Sequence, residues 1–193
     1  EDAREIAQEA IKAVLPEPAV IKALTAWKTT RPALWEPKGR LLVIALGKAA
    51  WRMAQAAGEI FEHRMHAGLI ITKYGHAGGP LKGFDIIEAG HPLPDENSVA
   101  GATKALEMVS GLNADDQVVM LISGGGSSLF EKPMKGVTLR EIQDLTDQLL
   151  EKGADIGEIN TIRKRLSSVK GGRFAEACGE ARVMAVVLSD VLG

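Results

Sequence analysis

A continuous apolar run that breaks at glycine recurs along this chain. Leu41–Leu46 (LLVIAL) runs into Gly47-Lys48, and Gln117–Ile122 (QVVMLI) runs into Ser123-Gly124-Gly125-Gly126-Ser127-Ser128. Gly68–Thr72 (GLIIT), Phe84–Glu88 (FDIIE) and Val183–Leu188 (VMAVVL) are further runs of strand length. Apolar residues without alternation mark a strand buried on both faces, as strands of a parallel sheet are. Helical spacing fills the intervals over Ala49–His66, Asp95–Ser110, Thr138–Lys152 and Ile156–Ser167. Strand, glycine loop and helix in repetition predict an α/β fold: three-layered and Rossmann-like, a mostly parallel sheet with helices on both faces. Ligands of such sheets bind at the carboxyl ends of the strands, where the glycine loops fall.

Before the first strand, Ala3, Ile6, Ala10, Ile11 and Val14 have helical spacing, and Pro16 and Pro18 stop that helix. A second short helix is expected over Pro18–Trp27 and a loop over Lys28–Gly39. Asp95 has the place of an N-cap, and Thr138 with Glu141 three residues on forms a capping-box pattern. The chain reads as one domain over residues 1–193. It stops in Ser189-Asp190-Val191-Leu192-Gly193, a ligand-loop signature after a strand, where a parallel sheet ordinarily continues with a helix. Further residues downstream are therefore expected.

Composition excludes several classes. Hydrophobic residues make up 46% of the chain and the formal net charge is -2, which describes a folded protein rather than a disordered one. That charge offers no electrostatic case for nucleic acid, and 4% aromatics leave few stacking platforms for bases. No apolar run approaches the roughly 20 residues that span a bilayer, so no membrane role is expected. Cys178 is the only cysteine and cannot form an internal disulfide; with no signal-peptide pattern, the expected location is cytoplasmic. The assembly state, a homodimer included, is left open.

Five constellations could carry chemistry. In Ser123-Gly124-Gly125-Gly126-Ser127-Ser128, successive backbone N–H groups of glycine turns can form an anion nest. A following helix N-terminus would add positive charge, and Ser123, Ser127 and Ser128 would add hydroxyl donors; the bland reading is a flexible turn. The loop lacks the Gly-Lys-Ser/Thr ending of a phosphate-binding P-loop, and a dinucleotide fingerprint fails at Leu129. Lys48 stands at the start of a helix, against the dipole preference. It is either a solvated lysine or one placed to neutralise a transferring phosphoryl group. In Gly90-His91-Pro92-Leu93-Pro94-Asp95, His91 could orient a carboxylate or move a proton, or be structural. Asn160, Arg163, Lys164 and Ser167 share one helix face ahead of Lys170-Gly171-Gly172-Arg173, suiting a polyanion or simply water. Asp190 at the last strand's end could hold Mg²⁺ or cap a helix.

In series, these segments resemble the glycerate 2-kinase family of the MOFRL type, some of whose members are named hydroxypyruvate reductases. The resemblance rests on Ala45-Leu46-Gly47-Lys48-Ala49-Ala50, Thr72-Lys73-Tyr74-Gly75-His76, Glu88-Ala89-Gly90-His91-Pro92-Leu93-Pro94-Asp95, Ile122-Ser123-Gly124-Gly125-Gly126-Ser127, Glu158-Ile159-Asn160-Thr161-Ile162-Arg163-Lys164, Lys170-Gly171-Gly172 and Leu188-Ser189-Asp190-Val191. It implies an N-terminal Rossmann-like domain facing a smaller C-terminal domain across an active-site cleft. It also implies ATP- and Mg²⁺-dependent phosphorylation of D-glycerate, or a related hydroxy acid, at the 2-hydroxyl. By the same resemblance Lys48 is the catalytic residue and the Ser123–Ser127 loop cradles substrate or nucleotide phosphates. His91, Asn160, Arg163 and Lys170 are the further candidates for binding substrate or phosphate, and Asp190 is the candidate for the metal. The alternatives are an NAD(P)H-dependent hydroxypyruvate reductase, which the missing fingerprint disfavours, and an anion-binding fragment without turnover. Arg165 and Ser128 depart from the family pattern, where histidine and alanine are common.

Overall fold

The apolar runs become strands β1 (Leu41–Leu46), β2 (Ala67–Lys73), β3 (Phe84–Ala89), β4 (Gln117–Ile122) and β5 (Arg182–Val187) in a computed structural model that describes residues 2–13, 15–35 and 38–189. They form one five-stranded sheet in the order β3-β2-β1-β4-β5. Every neighbouring pair is parallel. The central strand β1 is buried along its whole length, as its unbroken apolar run requires.

The two faces of the sheet build two cores. Leu41, Val43 and Ala45 of β1 point to one side, where α2 (Pro16–Thr30) supplies Val20 and Leu24 and α4 (Ala50–Phe61) supplies Met53, Ala54, Ala57 and Phe61. Leu42, Ile44 and Leu46 point to the other, where α5 (Glu96–Val109) supplies Ala102, Ala105 and Val109. The period-2 alternation of a strand thus feeds a helix layer on each face, which is the three-layer architecture expected. Alanine at these positions lets α4 and α5 lie close to the sheet.

Helix limits follow local chemistry. Asp95, Thr138 and Asp155 each close a capping box, with Ser98, Glu141 and Glu158 as partners. These start α5, α7 (Leu139–Glu151) and α8 (Ile156–Leu166). Three expectations need correction. Pro16 and Pro18 do separate α2 from α1 (Asp2–Ala13), but they lie in the first turn of α2, where a missing N–H costs nothing. The 28–39 stretch is not all loop: α2 runs on to Thr30 and α3 (Pro32–Trp35) follows. There Trp35 sets its ring 5.5 Å from Trp27 and 5.2 Å from Phe61, with the Arg64 guanidinium 4.5 Å above it. Packing of that aromatic cluster, not helical periodicity, holds the short helix. The helix expected to reach His66 ends at Phe61, followed by a 3-10 turn over Glu62–Arg64.

Neighbouring strands β2 and β3 are joined without a helix. The glycine-rich 74–83 segment makes the crossover, and the Trp51 indole of α4 donates to Gly79 O at 2.8 Å to hold it. At the far edge, β5 is more exposed than its apolar run suggests: Val183 and Val187 are 41% and 62% exposed. Burial there depends on position in the sheet, which residue type does not record.

The amino end of the sheet is locked by a buried carboxylate. Asp116, 1% exposed, accepts from Arg40 N at 2.6 Å, Arg40 Nη2 at 2.9 Å and Asn113 N at 2.9 Å. The Arg40 side chain bonded to it, working against burial, holds its pKa at about 2. An unfolded aspartate titrates near pH 4, so the folded state gains stability that is complete above that pH. That stability is lost as pH falls through about 2. Asp116→Asn should therefore be less stable than wild type in urea at pH 7. The difference should shrink below about pH 4, and equal gaps at pH 7 and pH 2.5 would contradict it.

Candidate functional site

Beyond their carboxyl ends, β1 and β4 lead in opposite directions: the chain leaves β1 for β2 on one side and β4 for β5 on the other. This is the topological switch point, where open α/β sheets leave a crevice for ligands. The register sets Leu46 beside Ile122, so the two glycine motifs of the sequence meet there. Ser123 N donates to Leu46 O at 2.9 Å, and Lys48 N to Gly124 O at 2.9 Å. Ala49 N donates to Ser123 Oγ at 3.1 Å. Thr72 Oγ1 reaches across to Gly47 O at 2.9 Å. Gly47 has φ +116°, and a side chain on it would run into the hydroxyl and carbonyl of Ser123. Only glycine lets the two loops touch.

Past that contact, Gly125 takes a left-handed conformation with φ +85°. A Cβ there would sit 2.8 Å from His91 Cδ2 and 3.3 Å from Lys48 Cγ. Lys48 and His91 therefore share one wall of the loop. The His91–Pro92 peptide is cis. His76 Nδ1 lies 3.0 Å from Lys48 O, and the Glu88 carboxylate accepts from His76 N at 3.1 Å and Ala77 N at 3.2 Å. Tyr74 OH donates to Asp95 Oδ2 at 2.7 Å, and Asn97 Nδ2 ties the same hydroxyl to Glu88 O. Burial, and then the charges of Lys48, Lys73 and His76, lower the pKa of His91 below the ordinary histidine value. That shift favours the neutral ring at pH 7.

On the other wall lies a cavity of about 510 Å³. The loop contributes Ser123, Gly125, Gly126 and Ser127; Asn160 and Lys164 come from α8, and Lys170 and Gly171 from the turn after it. That turn leads into α9 (Arg173–Ala177), which the glycines had not suggested. The juxtaposition has a local cause. Met134 N donates to Leu166 O at 2.9 Å and Ser168 N to Lys132 O at 2.7 Å, lacing the chain after the glycine loop to the end of α8.

Several placements differ from the sequence expectation. The helix after the loop, α6 (Gly126–Leu129), has four residues, too few for a substantial dipole. The Ser123 hydroxyl is engaged with Ala49 N and Leu46 O, and the Ser128 hydroxyl with Gly125 O; of the three serines, Ser127 is the exposed one. Arg163 is 8% exposed and does not line the cavity. Its Nη2 lies 3.2 Å from Ser127 O and 3.4 Å from Glu131 Oε2, so its charge turns inward beneath the loop. Ser167 is also buried, next to Lys132 O. Glu131 was not foreseen. It is fully buried and also holds Lys170 Nζ at 3.0 Å; an acid directly after Leu129-Phe130 was its one faint signal. Asp190 lies outside the described residues. Among the described residues no group of three or more His, Cys, Asp or Glu could hold a metal ion, and no helix is long and apolar enough to cross a membrane.

Comparison with known proteins gives this site a context. Residues 2–193 match the family described as "Domain of unknown function (DUF4147)". The chain belongs to that family. The D-glycerate 2-kinase of Thermotoga maritima is 53% identical over 189 residues, covering 98% of this chain and 43% of the relative. An Agrobacterium vitis relative carrying a provisional hydroxypyruvate reductase name is 44% identical over 157 residues, covering 81% of this chain and 36% of its own. The crystal structure of a Thermotoga maritima glycerate kinase superposes with a TM-score of 0.86 at 53% identity, covering 98% of this chain and 44% of that one. The chain thus spans less than half the length of these relatives.

The packing at Gly125 makes a direct prediction. Gly125→Ala must strain a left-handed residue and displace His91. It should cost about 1–3 kcal/mol of stability by urea titration and shift the His91 resonances in an NMR spectrum. An unchanged His91 environment would contradict the placement of the ring.

Proposed function

We propose that this chain forms the part of a glycerate 2-kinase that binds phosphate and substrate, transferring the γ-phosphoryl of ATP to the 2-hydroxyl of D-glycerate. The observation that carries the reading is the meeting of Lys48 with the Gly124–Gly126 loop at the switch point of the sheet. The likeness to the Thermotoga maritima D-glycerate 2-kinase and to the Thermotoga maritima glycerate kinase structure supports it.

Phosphoryl transfer through a loose transition state needs positioning and charge more than covalent help. The glycine loop offers backbone N–H groups to phosphate oxygens, with no side chain to hold them off. Lys48, exposed at the loop's edge, neutralises the transferring group. The 2-hydroxyl oxygen attacks the γ-phosphorus; the new O–P bond forms as the bond to the ADP oxygen breaks, and its electron pair leaves with ADP. Neutral His91, on the same wall as Lys48, takes the hydroxyl proton. Asn160 and Lys170 line the cavity and bind the anionic ends of substrate or nucleotide. Mg²⁺ bound to the nucleotide would offset phosphate charge and needs only one or two protein carboxylates; Asp190 is the expected one.

A coupled assay of the full-length protein with ATP, Mg²⁺ and D-glycerate tests this. Lys48→Ala should lower kcat by about a hundredfold or more, the loss seen when a main electrostatic group is removed. NADH oxidation with hydroxypyruvate, and no ADP formation, would overturn the kinase reading. Burial, and then the charges of Lys48, Lys73 and His76, lower the pKa of His91 below the usual value of about 6.5. Activity should therefore fall on the acid side as pH drops through that lowered pKa. His91→Gln should remove this limb while leaving the alkaline limb in place; an unaltered acid limb would assign the base elsewhere.

A further inference from the structure

Glu131 is a fully buried carboxylate beneath the glycine loop, and the mechanism above does not use it. Two cations converge on one of its oxygens: Lys170 Nζ at 3.0 Å and Arg163 Nη2 at 3.4 Å from Oε2. The other oxygen, Oε1, and Arg163 Nε are buried without a hydrogen-bond partner. This is a costly arrangement. A buried carboxylate with an unpaired oxygen loses solvation that one lopsided pair of bonds does not restore. A cluster serving packing alone would be replaced by apolar side chains at little loss.

The two cations do different things. Arg163 is turned away from the cavity and braces Ser127 O from below. Lys170 donates to Phe130 O at 2.6 Å as well as to Glu131, yet lines the cavity with a side chain 12% exposed. An ammonium has three N–H groups. Two are fixed from behind, which leaves the third for the cavity. Lys164 and Asn160 stand on the same wall.

We infer that Glu131 is a positioning residue: it keeps the Lys170 ammonium fixed beneath the glycine loop, aimed at an oxyanion bound in the cavity. The triad carries net positive charge even with Glu131 ionised, so the pinned lysine still attracts an anion. Without the carboxylate, burial favours the neutral amine, since burial is the larger influence on Lys170 and already lowers its pKa. The ligand chemistry is an oxyanion, either a phosphate of the nucleotide or the carboxylate of the acceptor. The role in turnover rests on the kinase reading, but the binding role does not.

A double-mutant cycle in the full-length protein separates this from a merely structural role. Calorimetric titrations with ATP and with D-glycerate are made on wild type, Glu131→Gln, Lys170→Met and the double variant, each checked by thermal melting. Lys170→Met and Glu131→Gln should each weaken binding of one ligand by about tenfold or more, the scale of a lost charged hydrogen bond. The double variant should bind no more weakly than Lys170→Met alone, because Glu131 acts through the lysine. The ligand affected tells which anion the cavity holds. Should Glu131→Gln fail to fold, Glu131→Asp takes its place in the cycle, with a smaller loss and the same non-additivity. Losses that multiply, or unchanged binding in either single variant, would overturn the inference. Wild type that binds these anions without phosphorylating glycerate would overturn the kinase reading and leave the Glu131 result standing.

Discussion

The site depends on the contact between the backbones of Gly47 and Ser123. The parallel pairing of β1 with β4 brings the two strand ends level, but pairing alone would leave two loops side by side. The absence of a side chain at Gly47 lets the Ser123 hydroxyl enter the β1 turn, accept from Ala49 N and bond Leu46 O. The two loops then behave as one surface. Lys48 is displayed at its rim because its own N–H is committed to Gly124 O. The strand register sets the height of the loops and the Gly47–Ser123 contact sets their gap, so the surface they form takes its geometry from the most buried strands.

Much of this was legible in the sequence, for identifiable reasons. An unbroken apolar run such as Leu41–Leu46 has few alternatives to a doubly covered strand. Capping boxes at Asp95 and Thr138 involve residues three apart, so local chemistry decides them. Lys48, the 123–127 loop and His91 were legible as candidates because each follows a strand, and the fold converts that position into proximity. What failed was decided by tertiary contact. The short α3 exists because Trp35 finds Trp27, Phe61 and Arg64. Arg163 shares a helical face with Asn160 and Lys164, yet its guanidinium turns inward because Glu131, 32 residues earlier, is buried below it. Helical periodicity gives a direction for each side chain but cannot say what lies in that direction.

The buried charges fall at opposite ends of the sheet and are treated differently. At the amino end, Asp116 is saturated by Arg40 and Asn113 and has a purely architectural setting. At the carboxyl end, Glu131 is under-satisfied, with one oxygen left bare and both its cations holding other partners. A protein that can saturate one buried aspartate so fully has no physical difficulty saturating another acid. The contrast suits an end of the sheet where charge is kept available rather than neutralised.

The same economy distinguishes this glycine loop from sites that use a helix dipole. With α6 only four residues long, little macrodipole field reaches the loop, and an anion there must be stabilised by backbone N–H groups and formal charges. The chain as a whole is slightly acidic, at -2, so those charges have to be gathered locally. Lys48 comes from the β1 turn, and Lys164 and Lys170 come from α8 and the turn that follows it, far from Lys48 in sequence. A local excess of cations on an acidic protein cannot hold itself together, because like charges repel. Lys170 is stabilised by a buried acid, and Lys48 and Lys164 by exposure to water. The fold therefore solves an electrostatic problem as well as a packing one: it gathers positive charge around a cavity lined by glycines.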